Sequence, residues 1–165
     1  MDKESPKNIW EKVDFIGAAT DADIINVEER LGVIIPVILK QQLKIQNGGD
    51  ILFFDWFEQA TDKEFLFISD SIVDGICSVS QWCLASENDW FSNCNDVHHK
   101  ELLVSIAGHS ESQLCLDYRK NGRNGEPGLT AFFVTQVSAE IDSIESITNL
   151  IHILIKFKYT HSPVE

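Results

Sequence analysis

The stretch from Thr20 to Gly49 constrains the fold more than any other part of this chain. Thr20, with Asp23 three positions on, makes a shortened capping box, which satisfies orphan N–H groups at a helix start. Ile24, Val27 and Leu31 then share one helical face, while Asp21, Glu28 and Glu29 face water. Gly32 follows the last apolar position, where a left-handed residue commonly ends a helix. Pro36 suits the first turn of a second helix, with Leu39 and Leu43 as its buried stripe and Lys40 and Lys44 as its wet one. Asn47-Gly48-Gly49 breaks the period ahead of a strand-like run, Ile51 to Phe54. The triplet reads as a helix C-cap followed by the start of a strand.

The order and spacing of Thr20, Ile24, Glu28, Leu31-Gly32, Pro36, Leu39, Leu43 and Asn47-Gly48-Gly49 resemble the N-terminal block of the SUKH superfamily. The run from Leu114 to Arg119, followed by Gly125 and Pro127, is similar to that family's late hairpin. Ile147, Leu150, Ile151 and Leu154 resemble its closing helix, so the likeness spans residues 8 to 158. Residues 57 to 100 carry no matching motif. The superfamily includes fungal cell-wall assembly regulators and bacterial immunity proteins that neutralise a cognate polymorphic toxin by binding it. The resemblance therefore implies a binding module and not an enzyme. It also implies structural roles for Glu28, Leu31, Gly32, Pro36, Asn47, Gly48, Gly49, Asp117, Tyr118 and Arg119.

Elsewhere the periodicity predicts a short helix over residues 8–16 with Trp10 and Val13 inward, and strands at Ile51–Phe54 and Phe65–Ile68. Residues 78–92 read as a helix carrying Trp82, Leu84 and Trp90, and Leu102–Ile106 as a strand ended by Gly108. Gln113–Arg119 and Leu129–Val134 form the clearest hairpin, with Leu114, Leu116 and Tyr118 alternating onto one face. Asp142 with Glu145 is the expected cap of a last helix. Together these predict an α+β fold: a mainly antiparallel sheet with helices packed on it, forming one domain over residues 1–165.

Charge narrows the partner. The chain has 26 acidic and 13 basic residues, and residues 50–101 hold 11 of the acids and only 2 of the bases. Such a surplus repels nucleic acid and anionic membrane and favours a basic protein. The same stretch carries nine of the sixteen aromatic residues. Carboxylates around a few aromatic anchors are a common way to build a steered interface. The expected contact residues are Asp55, Trp56, Glu58, Asp62, Glu64, Asp70, Asp74, Glu87, Asp89, Trp90 and Asp96. The competing reading is that Trp56 and Trp90 are buried and their acids merely solvated.

Other chemistry is weakly supported. Cys94, His98 and His99, with Asp96 among them, have spacing that suits a metal, but a fourth ligand is missing and a polar loop is the preferred reading. His109, Ser110 and Asp117 lack the geometry and the nucleophile elbow of a triad. Asp117 should lie on the sheet face opposite Leu114 and Leu116, paired with Arg119. Gly48-Gly49 and the glycines from 122 to 128 precede strands and lack a Walker lysine, so no nucleotide cofactor is expected. Cys77, Cys83, Cys94 and Cys115 show no Cys-x-x-Cys spacing and read as reduced thiols. The apolar run Leu150–Phe157 is short and interrupted by His152 and Lys156, and Met1–Ser5 does not read as a signal peptide. The cytoplasm is the expected compartment. The leading functional expectation is toxin neutralisation by occlusion, and the alternative is an intracellular regulatory or scaffold module.

Overall fold

The computed structural model describes residues 6–10, 17–51, 75–133 and 140–161. Helix α1 spans Asp21–Leu31 and α2 spans Val37–Ile45. A five-stranded antiparallel sheet follows in sequence order: β1 Cys83–Leu84, β2 Leu103–His109, β3 Ser112–Asp117, β4 Gly128–Phe133 and β5 Glu140–Ile144. Helix α3, Ile147–His161, closes the described chain. This is the α+β architecture with a mainly antiparallel sheet that the sequence predicts.

The opening helix forms for the reasons its sequence states. The Thr20 hydroxyl accepts the Asp23 N–H at 3.1 Å, and the Asp23 carboxylate accepts the Thr20 N–H at 2.8 Å. Gly32 ends α1 at φ 65°. Pro36 sits just outside α2 as its N-cap, one step earlier than the first-turn position expected. Glu28 fixes the turn between the helices: its carboxylate accepts the Ile35 N–H at 2.7 Å and pairs with Lys40 at 2.6 Å. The Tyr118 hydroxyl holds the same turn by donating to the Ile34 carbonyl at 2.9 Å.

Asn47-Gly48-Gly49 does a different job from the one expected. Gln46, in an extended conformation, is the C-cap of α2. The glycines instead let two backbones cross: Gly49 and Ile76 exchange hydrogen bonds of 2.8 and 3.0 Å. A Cβ on Gly48 would lie 2.7 Å from the Ile76 carbonyl oxygen. The Asn47 side chain accepts the Val79 N–H at 3.0 Å, locking the crossing.

Both faces of the sheet are covered. On one face α1, α2 and α3 pack Leu31, Leu39, Leu43, Leu150 and Leu154 against Val104, Ile106, Leu114, Leu116 and Leu129. Each of these leucines, fully buried, contributes about 1.5–3 kcal/mol. Cys115 and Phe132 point the other way and join Leu103, Ala85, Phe91 and Val97 in a smaller core. Strand β3 is accordingly buried along nearly its whole length.

Four local expectations are corrected. Asn8–Trp10 is not helical: Trp10 bridges Ile51, and side chains of Asn8 and Gln42 take the Trp10 and Ile9 N–H groups a helix would need. Residues 11–16 and 52–74, which include Val13 and nearly all of both aromatic strands, lie outside the described residues. Residues 78–92 form 3-10 turns at Val79–Gln81, Ala85–Glu87 and Asp89–Asn93 plus β1, not a helix. Serine and asparagine compete for backbone there: Asn88 accepts the Trp90 N–H and Ser92 donates to the Asp89 carbonyl. Strand β2 runs through Gly108 to His109, with a register shift between Ser105 and Ala107. Asp142 lies in β5, and α3 is capped by Ser146, whose hydroxyl accepts the Asn149 N–H at 3.2 Å. Glu126 assists that cap, accepting from the Ser146 hydroxyl and the Thr148 N–H, each at 2.8 Å.

Candidate interaction surface

The segment from Ala85 to Leu102 covers the second face of the sheet with little regular structure. Side chains tie it down instead. Asn88 donates to Gln113 at 3.2 Å, and the Ser105 hydroxyl, in the same network, donates to the same Gln113 oxygen at 2.7 Å. The Lys100 ammonium donates to the Phe91 carbonyl at 2.7 Å. Phe91 is fully buried and stacks edge-on against Phe132 with ring centroids 5.3 Å apart.

Trp90 stands at the outer end of this aromatic row. Its ring meets Phe91 edge-on at 4.8 Å, and its indole N–H donates to the Ser110 carbonyl at 3.2 Å. The ring is half-buried, so the competing reading of a buried Trp90 does not describe it. On the same segment Glu87, Asp89, Asp96 and Glu101 are exposed, as is Glu111 next to Ser110. The Glu101 carboxyl is held below its ordinary range, chiefly by a hydrogen bond from its own backbone N–H and secondarily by the His99 ring. The segment therefore combines a positioned aromatic ring with exposed carboxylates.

Of the sequence-predicted contact residues, Glu87, Asp89, Trp90 and Asp96 lie on this segment, the three acids exposed and Trp90 half-buried. Asp55, Trp56, Glu58, Asp62, Glu64, Asp70 and Asp74 lie outside the described residues. Asn88, Lys100, Ser105 and Gln113 support the platform and were not anticipated. The legible hint was Asn88, a capping residue type one step before an acidic-aromatic pair.

The other candidates resolve into structural roles. Asp117 accepts four hydrogen bonds: from the Arg119 N–H, Nε and Nη2 at 3.0, 2.9 and 2.7 Å, and from the Thr130 hydroxyl at 2.8 Å. Burial pushes the Asp117 carboxyl up, but these donors outweigh it and hold the group below the usual carboxylate range. Arg119 also lies over the Phe132 ring at 5.8 Å, which joins this pair to the aromatic row. Residues His109 and Asp117 occupy opposite ends of the β2–β3 ladder. The five residue steps from Ser112 to Asp117 separate those ends by about 17 Å, too far for a base and its orienting acid. In the Cys94–His99 loop, the Cys94 thiol donates to the Trp90 carbonyl and the His99 ring faces Glu101. Among the described residues no three histidine, cysteine or acidic side chains converge as a metal site. All four cysteines are free thiols. Among the described residues, no helix is long and apolar enough to cross a membrane.

No curated protein matches this sequence. The model of the SMI1 / KNR4 family (SUKH-1) matches residues 18–146. That span takes in the Glu28-braced turn, the Asn47-Gly48-Gly49 crossing, the Asp117–Arg119 hairpin and the Trp90 segment, and the chain belongs to this family.

Proposed function

We propose that this chain is an immunity protein that binds a cognate bacterial toxin through the Trp90 surface and occludes it. Family membership supports an immunity or regulatory module that acts through protein contact. The observation that carries the finer reading is the set of exposed carboxylates that shares the Ala85–Leu102 segment with Trp90, on a platform braced by Asn88, Gln113 and Lys100. A platform already ordered loses little entropy on docking. The carboxylates steer a basic partner into register, and the aromatic ring supplies the short-range anchor. A toxin domain with a positively charged cleft, such as a nuclease, has the complementary chemistry. Asp55, Trp56, Glu58, Asp62, Glu64, Asp70 and Asp74 are further contact residues in this reading, and the protein acts in the cytoplasm of the cell it protects.

The test is co-purification with the product of the neighbouring reading frame, followed by stopped-flow association. Replacing Asp89 and Asp96 together with lysine should slow association about tenfold at low salt and flatten its salt dependence. Unchanged kinetics would remove this surface from the interface. Absence of any complex, with no protection of cells expressing the neighbour, would leave the regulatory-module reading in its place.

A further inference from the structure

Among the described residues, α2, α3 and the strap that docks on them stand apart from the rest of the chain in charge. The Ala85–Leu102 segment lies on one face of the sheet, whereas α2 and α3 pack on the other. Residues 37–45 and 147–161, with the strap at 6–10 that docks on them, contain no aspartate or glutamate. They carry Lys7, Lys40, Lys44, Lys156 and Lys158, together with His152 and His161, in a chain where acids outnumber bases two to one. Asp21 and Glu28 reach across from α1 to pair with Lys44 and Lys40. Among the described residues, Lys156 and His152 form no salt bridge.

A groove of about 560 Å³ opens on this side. One wall is apolar, formed by Ile34, Pro36, Val37 and Ile38. Val37 is 70% exposed and Ile34 50%, large values for aliphatic side chains on a described surface that buries most others. The opposite wall holds Thr148 and His152, and Lys156 continues their row one turn further along α3. Glu126, the carboxylate lining the groove, is already engaged at the start of α3.

We infer that this groove is a second docking site, which takes an acidic segment of another protein carrying an aliphatic side chain. The aliphatic group covers Ile34 and Val37, and the flanking carboxylates meet His152 and Lys156. Charge complementarity selects the occupant: a basic segment meets the lysines unfavourably, and a second copy of this chain brings thirteen excess negative charges. The concavity favours a protruding side chain over a flat lipid surface. The site is independent of the Trp90 surface, so one molecule can hold a basic partner on one side and an acidic one on the other.

The experiment is two-dimensional amide NMR of the full chain, titrated with a short synthetic peptide of glutamates flanking leucine. Shift changes confined to residues 34–41, 124–126 and 148–156 are expected. The exposed substitutions Val37→Glu and Lys156→Glu should each weaken binding at least tenfold, while Asp89→Lys leaves it unchanged. Four results would each overturn the inference: no shifts at millimolar peptide, equal binding of the lysine-for-glutamate peptide, shifts centred on residues 87–101, or competition by anionic phospholipid vesicles. Concentration-dependent self-association through this groove would also overturn it, in favour of a second copy.

Discussion

Replacing Gly48 by alanine isolates the backbone crossing that the family motif encodes, because Gly122 supplies a matched control. Both glycines have positive φ, 97° and 76°. Alanine in this region costs about 1–2 kcal/mol from backbone sterics alone. At Gly122 nothing lies within 4 Å of the added Cβ, so that cost is the whole effect. At Gly48 the Cβ meets the Ile76 oxygen at 2.7 Å and backbone atoms of Cys77 and Ser78 at 2.8 Å. None of these can rotate away. Forced separation adds about 1–3 kcal/mol, as overpacking does in cores, and it pulls Val79 off the Asn47 cap. Gly48→Ala should therefore cost about 2–5 kcal/mol, and Gly122→Ala about 1–2 kcal/mol. For a chain of this length the Gly48 variant should melt about 4–20 °C lower. Urea titration followed by circular dichroism measures both. A difference below 0.5 kcal/mol between the two variants would refute the crossing as the reason for the motif.

Four further outcomes follow from the same geometry. Asp117→Asn should cost about 1.5–3 kcal/mol near neutral pH, because it turns charge-assisted hydrogen bonds from Arg119 and Thr130 into neutral ones and sets an amide N–H2 against a donor. The depressed Asp117 carboxyl stabilises the fold above its unfolded value of about 4 and loses that contribution as pH falls through the lower folded value. The variant should therefore show a shallower acid limb below about pH 4 in pH-dependent urea titrations. Glu28→Ala should cost about 2–3 kcal/mol, since it frees the Ile35 N–H as well as Lys40. Glu28→Gln keeps an acceptor and should cost about half as much in the same assay. The Cys115 thiol is buried and pushed well up by desolvation, so native-state alkylation should reach it only at the rate of global unfolding. Deleting residues 147–161 should abolish cooperative unfolding, because Ile147, Leu150, Ile151 and Leu154 each contribute about 1.5–3 kcal/mol to the main core.

The helical part of the fold is legible because its determinants are local. The Thr20–Asp23 box, the Gly32 cap and the apolar stripes act within a turn or two of chain, and each is found where its spacing puts it. The β3–β4 hairpin is legible for the same reason. Residues 78–92 misread because helical periodicity of Trp82, Leu84 and Trp90 is met equally well by a chain that wraps the sheet in short turns. The arbiter there is a set of partners distant in sequence: Arg30 donating to the Trp82 carbonyl, and Gln113 accepting from Asn88. Trp10 misreads similarly, since Gln42 and Lys158 hold its segment from elsewhere. The Trp90 surface was half legible. Acid and aromatic composition points to the segment, but composition carries no information on the Asn88, Ser105, Gln113 and Lys100 contacts that hold it.

The second cover of the sheet explains why an acidic surface can be stable without being stabilising. Phe91, Val97 and the Asn88–Gln113–Ser105 network hold this segment through inward contacts. Glu87, Asp89, Asp96 and Glu101 point outward and share their stretch of chain with one lysine, Lys100, which is already spent on a backbone carbonyl. Like charges spaced this way oppose folding slightly, and exposed ion pairs would return less than about 1 kcal/mol each. Stability therefore gives no reason for the pattern. Substituting these acids should leave the melting temperature level or raise it, whereas substituting Asn88 or Gln113 should lower it. Binding, if this face is the docking site, responds in the opposite order to the acids: it falls when they are removed. A variant that gains stability while losing association would separate what this surface does for the fold from what it does for a partner.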